Sequence, residues 1–131
     1  MIIDTSALVA VLRDEPERPA LLRAIAHARR RFVSAANLLE TSIVIDARRD
    51  AIASRRLDEF MQSARVEVAP VTARQAEIAR AAYRDFGRGS GHPARLNFGD
   101  CFAYALAKDN DQSLLFKGDD FSHTDVRRTL G

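Results

Sequence analysis

Cysteine and tryptophan are scarce in this sequence: Cys101 is the only cysteine, and there is no tryptophan. A single cysteine excludes an internal disulfide and any zinc cluster built from several thiolates. The three histidines are scattered and show no spacing typical of a metal site. A metal centre in this chain would therefore need oxygen ligands.

Lysine is also rare, since Lys108 and Lys117 are the only two, and arginine supplies nearly all of the positive charge. Guanidinium groups match the oxygens of a phosphate well, which suits a partner that carries phosphate. The net charge of +2 and the pI near 9.1 are nevertheless too small to identify a nucleic-acid-binding protein on their own.

Long hydrophobic runs are missing too: none approaches the length that crosses a membrane, and no basic segment precedes the first apolar residues. We therefore expect a cytoplasmic protein with no membrane partner. The 131 residues, 47% hydrophobic and 29% charged, are enough for one globular domain with a substantial core.

Short strand candidates alternate with helices along the chain. Strands are expected at residues 1–3, 32–33, 65–68 and 113–116, and helices at about 7–13, 17–30, 35–49, 51–64, 72–86 and 101–107. Alternation of this kind favours an α/β fold with a parallel sheet between helices.

The first strand candidate ends in an acid. Three apolar residues, 1–3, run into Asp4 and then into the hydroxyls of Thr5 and Ser6. An acid closing a buried parallel strand lies at its carboxyl end, where open α/β sheets hold their ligands. Because Thr5 or Ser6 can also cap the helix that follows, an ordinary capped turn explains this stretch equally well.

Glu40 lies within the helix expected at residues 35–49. A helical projection places it in the middle of an apolar face, which would bury its carboxylate unless a cation, a metal or hydrogen-bond donors accompany it. Leu38 and Ile45 project to the opposite side, as a second patch for packing by the next helix or by another chain. The apolar face around Glu40 comprises Ala36, Leu39, Ile43, Val44 and Ala47.

Further acids occur late in the chain. Asn97 is a candidate N-cap for the apolar helix around residues 101–107, with Asp100 at the third helical position. Asp119 and Asp120 follow the last strand candidate, in the arrangement already seen at Asp4. Clustered carboxylates repel one another, and a divalent cation removes that cost, with Mg²⁺ or Mn²⁺ favoured by oxygen ligands.

The chain resembles the PIN-domain family, specifically the VapC-type toxins of bacterial toxin–antitoxin pairs. The likeness covers nearly the whole sequence and is carried by ordered motifs. They are Ile3-Asp4-Thr5-Ser6-Ala7-Leu8, Asp14-Glu15-Pro16, Leu39-Glu40 after Ser34-Ala35, Asn97-Phe98-Gly99-Asp100-Cys101 and Leu115-Phe116-Lys117-Gly118-Asp119-Asp120-Phe121.

This resemblance implies a single PIN domain over residues 1–131, with a central parallel sheet of four or five short strands flanked by helices. It implies a Mg²⁺-dependent endoribonuclease, with Mn²⁺ as a possible substitute, whose metal ligands include Asp4, Glu40 and Asp100. Thr5 or Ser6 would orient Asp4, with Asn97 in a supporting role. The family also implies a homodimer and a small antitoxin that fills the acidic groove. The Leu38 and Ile45 patch is a candidate surface for either contact.

One position departs from the family pattern. Many PIN domains carry an aspartate where Gly118 stands, two residues ahead of the acid that precedes Phe121. The fourth acidic role should therefore fall to Asp120, which directly precedes Phe121, with Asp119 as the alternative.

The favoured hypothesis is cleavage of tRNA or another structured RNA, with Arg84, Arg88 and Arg95 holding its backbone. A rival enzyme class is a phosphatase in which Asp4 is the covalent nucleophile, although such enzymes usually carry a second aspartate where Ser6 stands. A third possibility is a non-catalytic module that binds RNA or a partner protein.

Overall fold

The computed structural model describes residues 1–130 as an α/β fold, as expected from the alternation of strands and helices. All strand pairs are parallel, and the sheet has four strands in the order β3-β2-β1-β4. The strands are β1 (Ile2–Ile3), β2 (Arg31–Ser34), β3 (Val66–Ala69) and β4 (Leu114–Leu115).

The helices cover both faces of this sheet. Their bounds lie close to the predicted ones, and a short 3-10 helix, Asp120–His123, follows β4. The helices are α1 (Thr5–Leu12), α2 (Arg18–His27), α3 (Ala35–Asp46), α4 (Ala51–Ser63), α5 (Ala73–Phe86) and α6 (Phe98–Asp109).

Neighbouring residues of β1 enter opposite halves of the core, because successive side chains of a strand point to opposite faces. Ile2 packs with Leu106 and Leu114 in the half that includes α5 and α6. Ile3 packs with Leu8 and Leu21 in the half that includes α1 and α2. A strand buried on both sides explains why its sequence is an unbroken apolar run.

The connections place a topological switch point beside β1. The chain adds β2 and then β3 on one side of β1 and returns to add β4 on the other side. In open α/β sheets the crevice at such a point, at the carboxyl ends of the strands, is where ligands bind. Asp4 directly follows β1, which places it at this crevice, and Asp119 and Asp120 come a few residues after β4.

The predicted orientation of α3 is wrong. Leu39 and Ile43, expected in the core, are 61% and 59% exposed. Ile45 is buried, and Leu38 packs against the core. The patch of Leu38 and Ile45 is therefore not a surface for another chain. The polar Asn37 faces the core, where hydrogen bonds satisfy its amide nitrogen. The prediction failed because a helical projection based on hydropathy places a face with a polar residue outside.

Candidate active site

Asp4 is held between β1 and α1 by contacts on both sides. Its side chain is buried, with the residue 3% exposed, and its carboxylate oxygen Oδ2 accepts hydrogen bonds from the backbone nitrogen of Ser6 at 3.0 Å and from Ser6 Oγ at 2.6 Å. Asp4 is thus itself the N-cap of α1. The prediction that Thr5 or Ser6 caps this helix is wrong, since a carboxylate at the preceding position already satisfies the free backbone N–H.

Ser6 also ties Asp4 to the far end of the chain. The backbone nitrogen of Lys117 donates to Ser6 Oγ at 3.0 Å, and the backbone nitrogen of Asp4 donates to the carbonyl oxygen of Leu115 at 2.9 Å. The predicted orienting hydroxyl for Asp4 is therefore that of Ser6. Its position depends on the pairing of β4 with β1.

Thr5 orients a different acid. Its hydroxyl Oγ1 donates a short hydrogen bond to Glu40 Oε1, and Asn37 Nδ2 donates to the same oxygen at 3.3 Å. Glu40 is half-buried at the side of α3, not in the centre of an apolar face. The donors that the sequence required for this carboxylate are thus supplied by Thr5 and Asn37.

Asp100 lies in the first turn of α6 and forms a capping box with Asn97, which is the N-cap as predicted. The backbone nitrogen of Asn97 donates to Asp100 Oδ2 at 2.9 Å, and the backbone nitrogen of Asp100 donates to Asn97 Oδ1 at 2.9 Å. These reciprocal bonds satisfy two free N–H groups of the helix start. They also fix the Asp100 carboxylate at the rim of the crevice, where it is only half-buried.

The acids that follow β4 are both exposed. Asp120 lies in the first turn of the 3-10 helix, which is anchored by the buried ring of Phe121. The negative charge of Asp120 is among the main charges that raise the pKa of Asp100. Asp120 is therefore the better candidate of the two for the fourth acid.

Burial and mutual repulsion raise the pKa values of two of these acids. Burial raises the pKa of Asp4 to about 6, against the lowering effect of the Ser6 hydrogen bonds, and the charge of Glu40 adds to the increase. Burial also raises the pKa of Asp100 to about 7, with further increases from the charges of Asp4, Asp120 and Glu40. The four predicted acids therefore form one interacting group, of the kind that a cation stabilises.

The donor set suits a hard divalent cation. Within residues 1–130, no three acidic, histidine or cysteine side chains converge closely enough to hold one ion as they stand. Mg²⁺, however, is usually bound through one or two protein carboxylates and keeps several of its waters. Asp4 and Asp100, with the charges of Glu40 and Asp120 acting on the same group, are carboxylates of the kind that this requires.

The three predicted RNA-binding arginines are exposed and lie around one end of α5. Arg84 forms an ion pair with Asp85 at 3.5 Å. Arg88 borders a cleft between α5 and α6, and Arg95 adopts a positive φ of 53°. None of them lies among the four acids. Their assignment to RNA stays a prediction.

Sequence analysis missed two residues of the site. Asn37 is completely buried, and its Nδ2 donates to the carbonyl oxygen of Gly99 at 3.0 Å as well as to Glu40. Gly99 lies so close to the Glu40 carboxylate that a side-chain carbon there would overlap it. The sequence offered two indications. Asn37 stands about one turn before Glu40, and Gly99 directly precedes Asp100.

Two neighbours of Asp100 have structural roles. Cys101 is buried, and burial together with the charge of Asp100 raises the pKa of its thiol to about 11, so it is unreactive at neutral pH. Tyr104 belongs to the core, and its hydroxyl donates to Asp125 Oδ1 at 2.6 Å.

Among residues 1–130, no helix has the length and hydropathy needed to span a bilayer.

Comparison with known proteins identifies this architecture. The sequence matches the PIN domain family over residues 1–127, and the chain belongs to that family. Among its relatives, Ribonuclease VapC28 of Mycobacterium tuberculosis is 58% identical over 130 residues, which cover 99% of this chain and 98% of the relative. Ribonuclease VapC of Mycolicibacterium smegmatis is 52% identical over 126 residues, which cover 96% and 97% of the two chains. The resemblance to VapC-type toxins is thereby confirmed.

Solved structures share the fold. VapC20 of Mycobacterium tuberculosis, described as a sarcin-ricin loop cleaving toxin, superposes with a TM-score of 0.71 at 21% identity, covering 96% of this chain and 98% of its own. VapBC2 of Rickettsia felis, bound to a DNA fragment from its promoter, gives a TM-score of 0.76 at 13% identity and covers 97% and 94%. Such low identities support the fold alone.

Proposed function

We propose that this chain is an endoribonuclease, the toxin of a toxin–antitoxin module, and that it hydrolyses RNA phosphodiester bonds in the cytoplasm. The observation that carries the proposal is the set of acids at the switch point of the sheet. Asp4, Glu40 and Asp120 come from separate elements, and the charge of each acts on Asp100. Relatives with 58% and 52% identity that are named ribonucleases support the same activity.

The acids and the hydroxyls that orient them would have different roles in this reaction. Asp4 and Asp100 would hold Mg²⁺, or Mn²⁺ in its place, and Glu40 and Asp120 would add negative charge beside it. The bound ion would polarise the phosphate and lower the pKa of the attacking water. Ser6 keeps Asp4 aimed at the crevice through its two hydrogen bonds. Glu40, held by Thr5, is placed to take up the proton that the water loses.

Cleavage of total RNA tests this proposal. The wild-type protein is incubated with RNA and Mg²⁺ or Mn²⁺, beside Asp4→Asn, Asp100→Asn and the control Asp58→Asn, which changes an exposed acid on α4. Asparagine also caps helices, so both site variants should keep the fold, as circular dichroism would verify. We expect the two site variants to lose at least about 100-fold in rate and the control to lose nothing. Full activity in either site variant, or activity unaffected by EDTA, would refute the proposal.

The toxin role implies a protein partner. Growth arrest on expression of the chain alone, relieved by coexpression of a small protein encoded directly upstream, would support an antitoxin. Unrelieved arrest with that protein present would count against this pairing.

We also propose a homodimer in which the exposed side chains of Leu39 and Ile43 meet those of a second copy. Large apolar side chains exposed together on one helix face mark contact surfaces. Sedimentation of the double variant Leu39→Ser and Ile43→Ser should give a monomer, whereas the control Ile52→Ser, also at an exposed position, should remain a dimer. A dimer in both variants would exclude this surface.

A further inference from the structure

A cleft of about 510 Å³ lies between α5 and α6, and its lining includes Asn97 and Cys101, on either side of Asp100 in the sequence. Its walls combine aromatic rings with small apolar side chains, and two arginines border it. The residues that matter here are Arg80, Tyr83, Arg88, Asn97, Phe98 and Phe102. None of the aromatic residues has a role in the chemistry described above.

The aromatic rings of this cleft are unusually open to solvent. Phe98 is 78% exposed and Tyr83 is 47% exposed, although both could bury apolar surface if a ligand covered them. The orientation of the Phe98 ring is restricted, because it contacts the ring of Phe102 edge to face with centroids 4.8 Å apart. The cleft thus offers a flat apolar surface that is already oriented.

The two arginines add positive charge at the same place. Arg80 and Arg88 are exposed, and within the described residues 1–130 neither takes part in an ion pair. The guanidinium groups beside the cleft therefore remain available for an anion.

The cleft and the acids are joined through Asn97. This residue lines the cleft, and its backbone nitrogen donates to the Asp100 carboxylate at 2.9 Å. Phe98 follows it and begins α6, two residues before Asp100. A ligand that occupied the cleft would therefore lie next to whatever the acids act on.

We propose that this cleft binds an unpaired base of the RNA substrate, next to the phosphodiester that is cut. The base stacks on Phe98 and Tyr83, and Arg80 and Arg88 bind the phosphate of the same strand. A nucleotide combines a flat apolar ring with a negative charge, which matches this pairing of aromatic and guanidinium groups. The inference rests on the RNA-cleaving function proposed above and assigns it a preference for single-stranded or flipped-out nucleotides.

Binding without cleavage tests the stacking contact. The Asp100→Asn protein is titrated, without divalent ions, into a short single-stranded RNA that carries the fluorescent adenine analogue 2-aminopurine. Stacking should quench the fluorescence, and adding Phe98→Ala should weaken binding about 5- to 100-fold and abolish the quenching. Phe98→Tyr should retain both, as should Ile52→Ala, a control at an exposed apolar residue of α4. A fully paired RNA should compete poorly.

Cleavage by the active protein supplies the second measurement. With Asp100 intact, Phe98→Ala should broaden the base preference at the nucleotides that flank the cuts in total RNA, and Phe98→Tyr should preserve it. Equal affinity, quenching and cut positions in wild type and Phe98→Ala would overturn the inference while leaving the ribonuclease function standing. A change in sedimentation alone would also overturn it, by assigning the cleft to contact between protein chains. Quenching by a protein that cuts no RNA would refute the ribonuclease function and keep the binding site.

Discussion

Asn37 Nδ2 donates a hydrogen bond of 3.0 Å to the carbonyl oxygen of Gly99, which joins the first turn of α3 to the first turn of α6. The same nitrogen donates to Glu40 Oε1 at 3.3 Å. One buried amide therefore links Glu40 to the backbone that carries Asp100. The relative position of these two acids depends on it.

Replacing Asn37 by alanine should affect both stability and cleavage. The Gly99 carbonyl would lose its side-chain partner, which we expect to lower the free energy of unfolding by about 1–3 kcal/mol. Glu40 would lose one of its two donors, so the rate of RNA cleavage should fall as well. Urea denaturation and a cleavage assay measure the two effects. Asn110→Ala removes a comparable hydrogen bond, from Asn110 Nδ2 to the Leu106 carbonyl at the other end of α6, and serves as the control that should lower stability without affecting cleavage. Unchanged cleavage in Asn37→Ala would show that Glu40 does not need this contact.

Gly99→Ala should separate activity from stability. Gly99 lies in a helix with no positive φ, so alanine suits its backbone and favours the helix by about 1 kcal/mol. The new methyl group would collide with the Glu40 carboxylate, which is the flexible end of a side chain and can move aside. We expect a folded protein, within about 1 kcal/mol of wild type, that cleaves RNA poorly. Normal cleavage by Gly99→Ala would mean that the position of Glu40 is unimportant.

Ser6→Ala and Thr5→Val should have different effects, because the two hydroxyls serve different acids. Ser6 Oγ donates to Asp4, and this hydrogen bond lowers the pKa of Asp4. Its removal should move the acidic limb of the pH profile upward and reduce metal affinity or activity about 10- to 100-fold. Thr5→Val removes the hydrogen bond to Glu40 and should reduce the rate of cleavage without moving the acidic limb of the pH profile. Identical pH profiles for Ser6→Ala and wild type would rule out this role for Ser6.

The raised pKa of Asp100 makes stability depend on pH when no divalent ion is bound. The pKa increases from 3.8 to about 7 on folding, so between these values the folded protein keeps a proton that the unfolded chain has released. The favourable contribution is present in acid and is lost as the pH rises to about 7. In EDTA, Asp100→Asn should therefore gain most over wild type in urea midpoint at about pH 8 and least at about pH 5.

The stabilisation by added Mg²⁺ should increase with pH, whereas the stability of the metal-free protein should decrease. Protons compete with the ion for Asp4 and Asp100, so Mg²⁺ should raise the urea midpoint of the wild type more at about pH 8 than at about pH 5. An ion at a concentration of about 100 times its dissociation constant stabilises by about 2.7 kcal/mol. Asp100→Asn should lose most of this gain. A urea midpoint that is the same with and without Mg²⁺ at both pH values would argue against a cation at this site.

Sequence patterns predicted the sheet and the places of Asp4 after a strand and Asp100 in the first turn of a helix, because both depend on short-range features. The apolar run before Asp4 requires a buried strand, and the Asn97 and Asp100 pair defines its own helix start. They did not predict which side of α3 faces the core. The inward side of α3 is fixed by contacts between residues distant in sequence, such as the hydrogen bond from Asn37 Nδ2 to the carbonyl oxygen of Gly99. Contacts of this kind become visible only when the helices are placed together.

The pairing of β4 with β1 has a consequence for synthesis of the chain. The Ser6 hydroxyl that aims Asp4 receives the backbone N–H of Lys117, and Asp120 lies just beyond. A nascent chain that has exposed Asp4, Glu40 and even Asp100 still lacks the strand that completes their surroundings. We therefore expect the complete site to form only after β4 has been synthesised and has paired with β1.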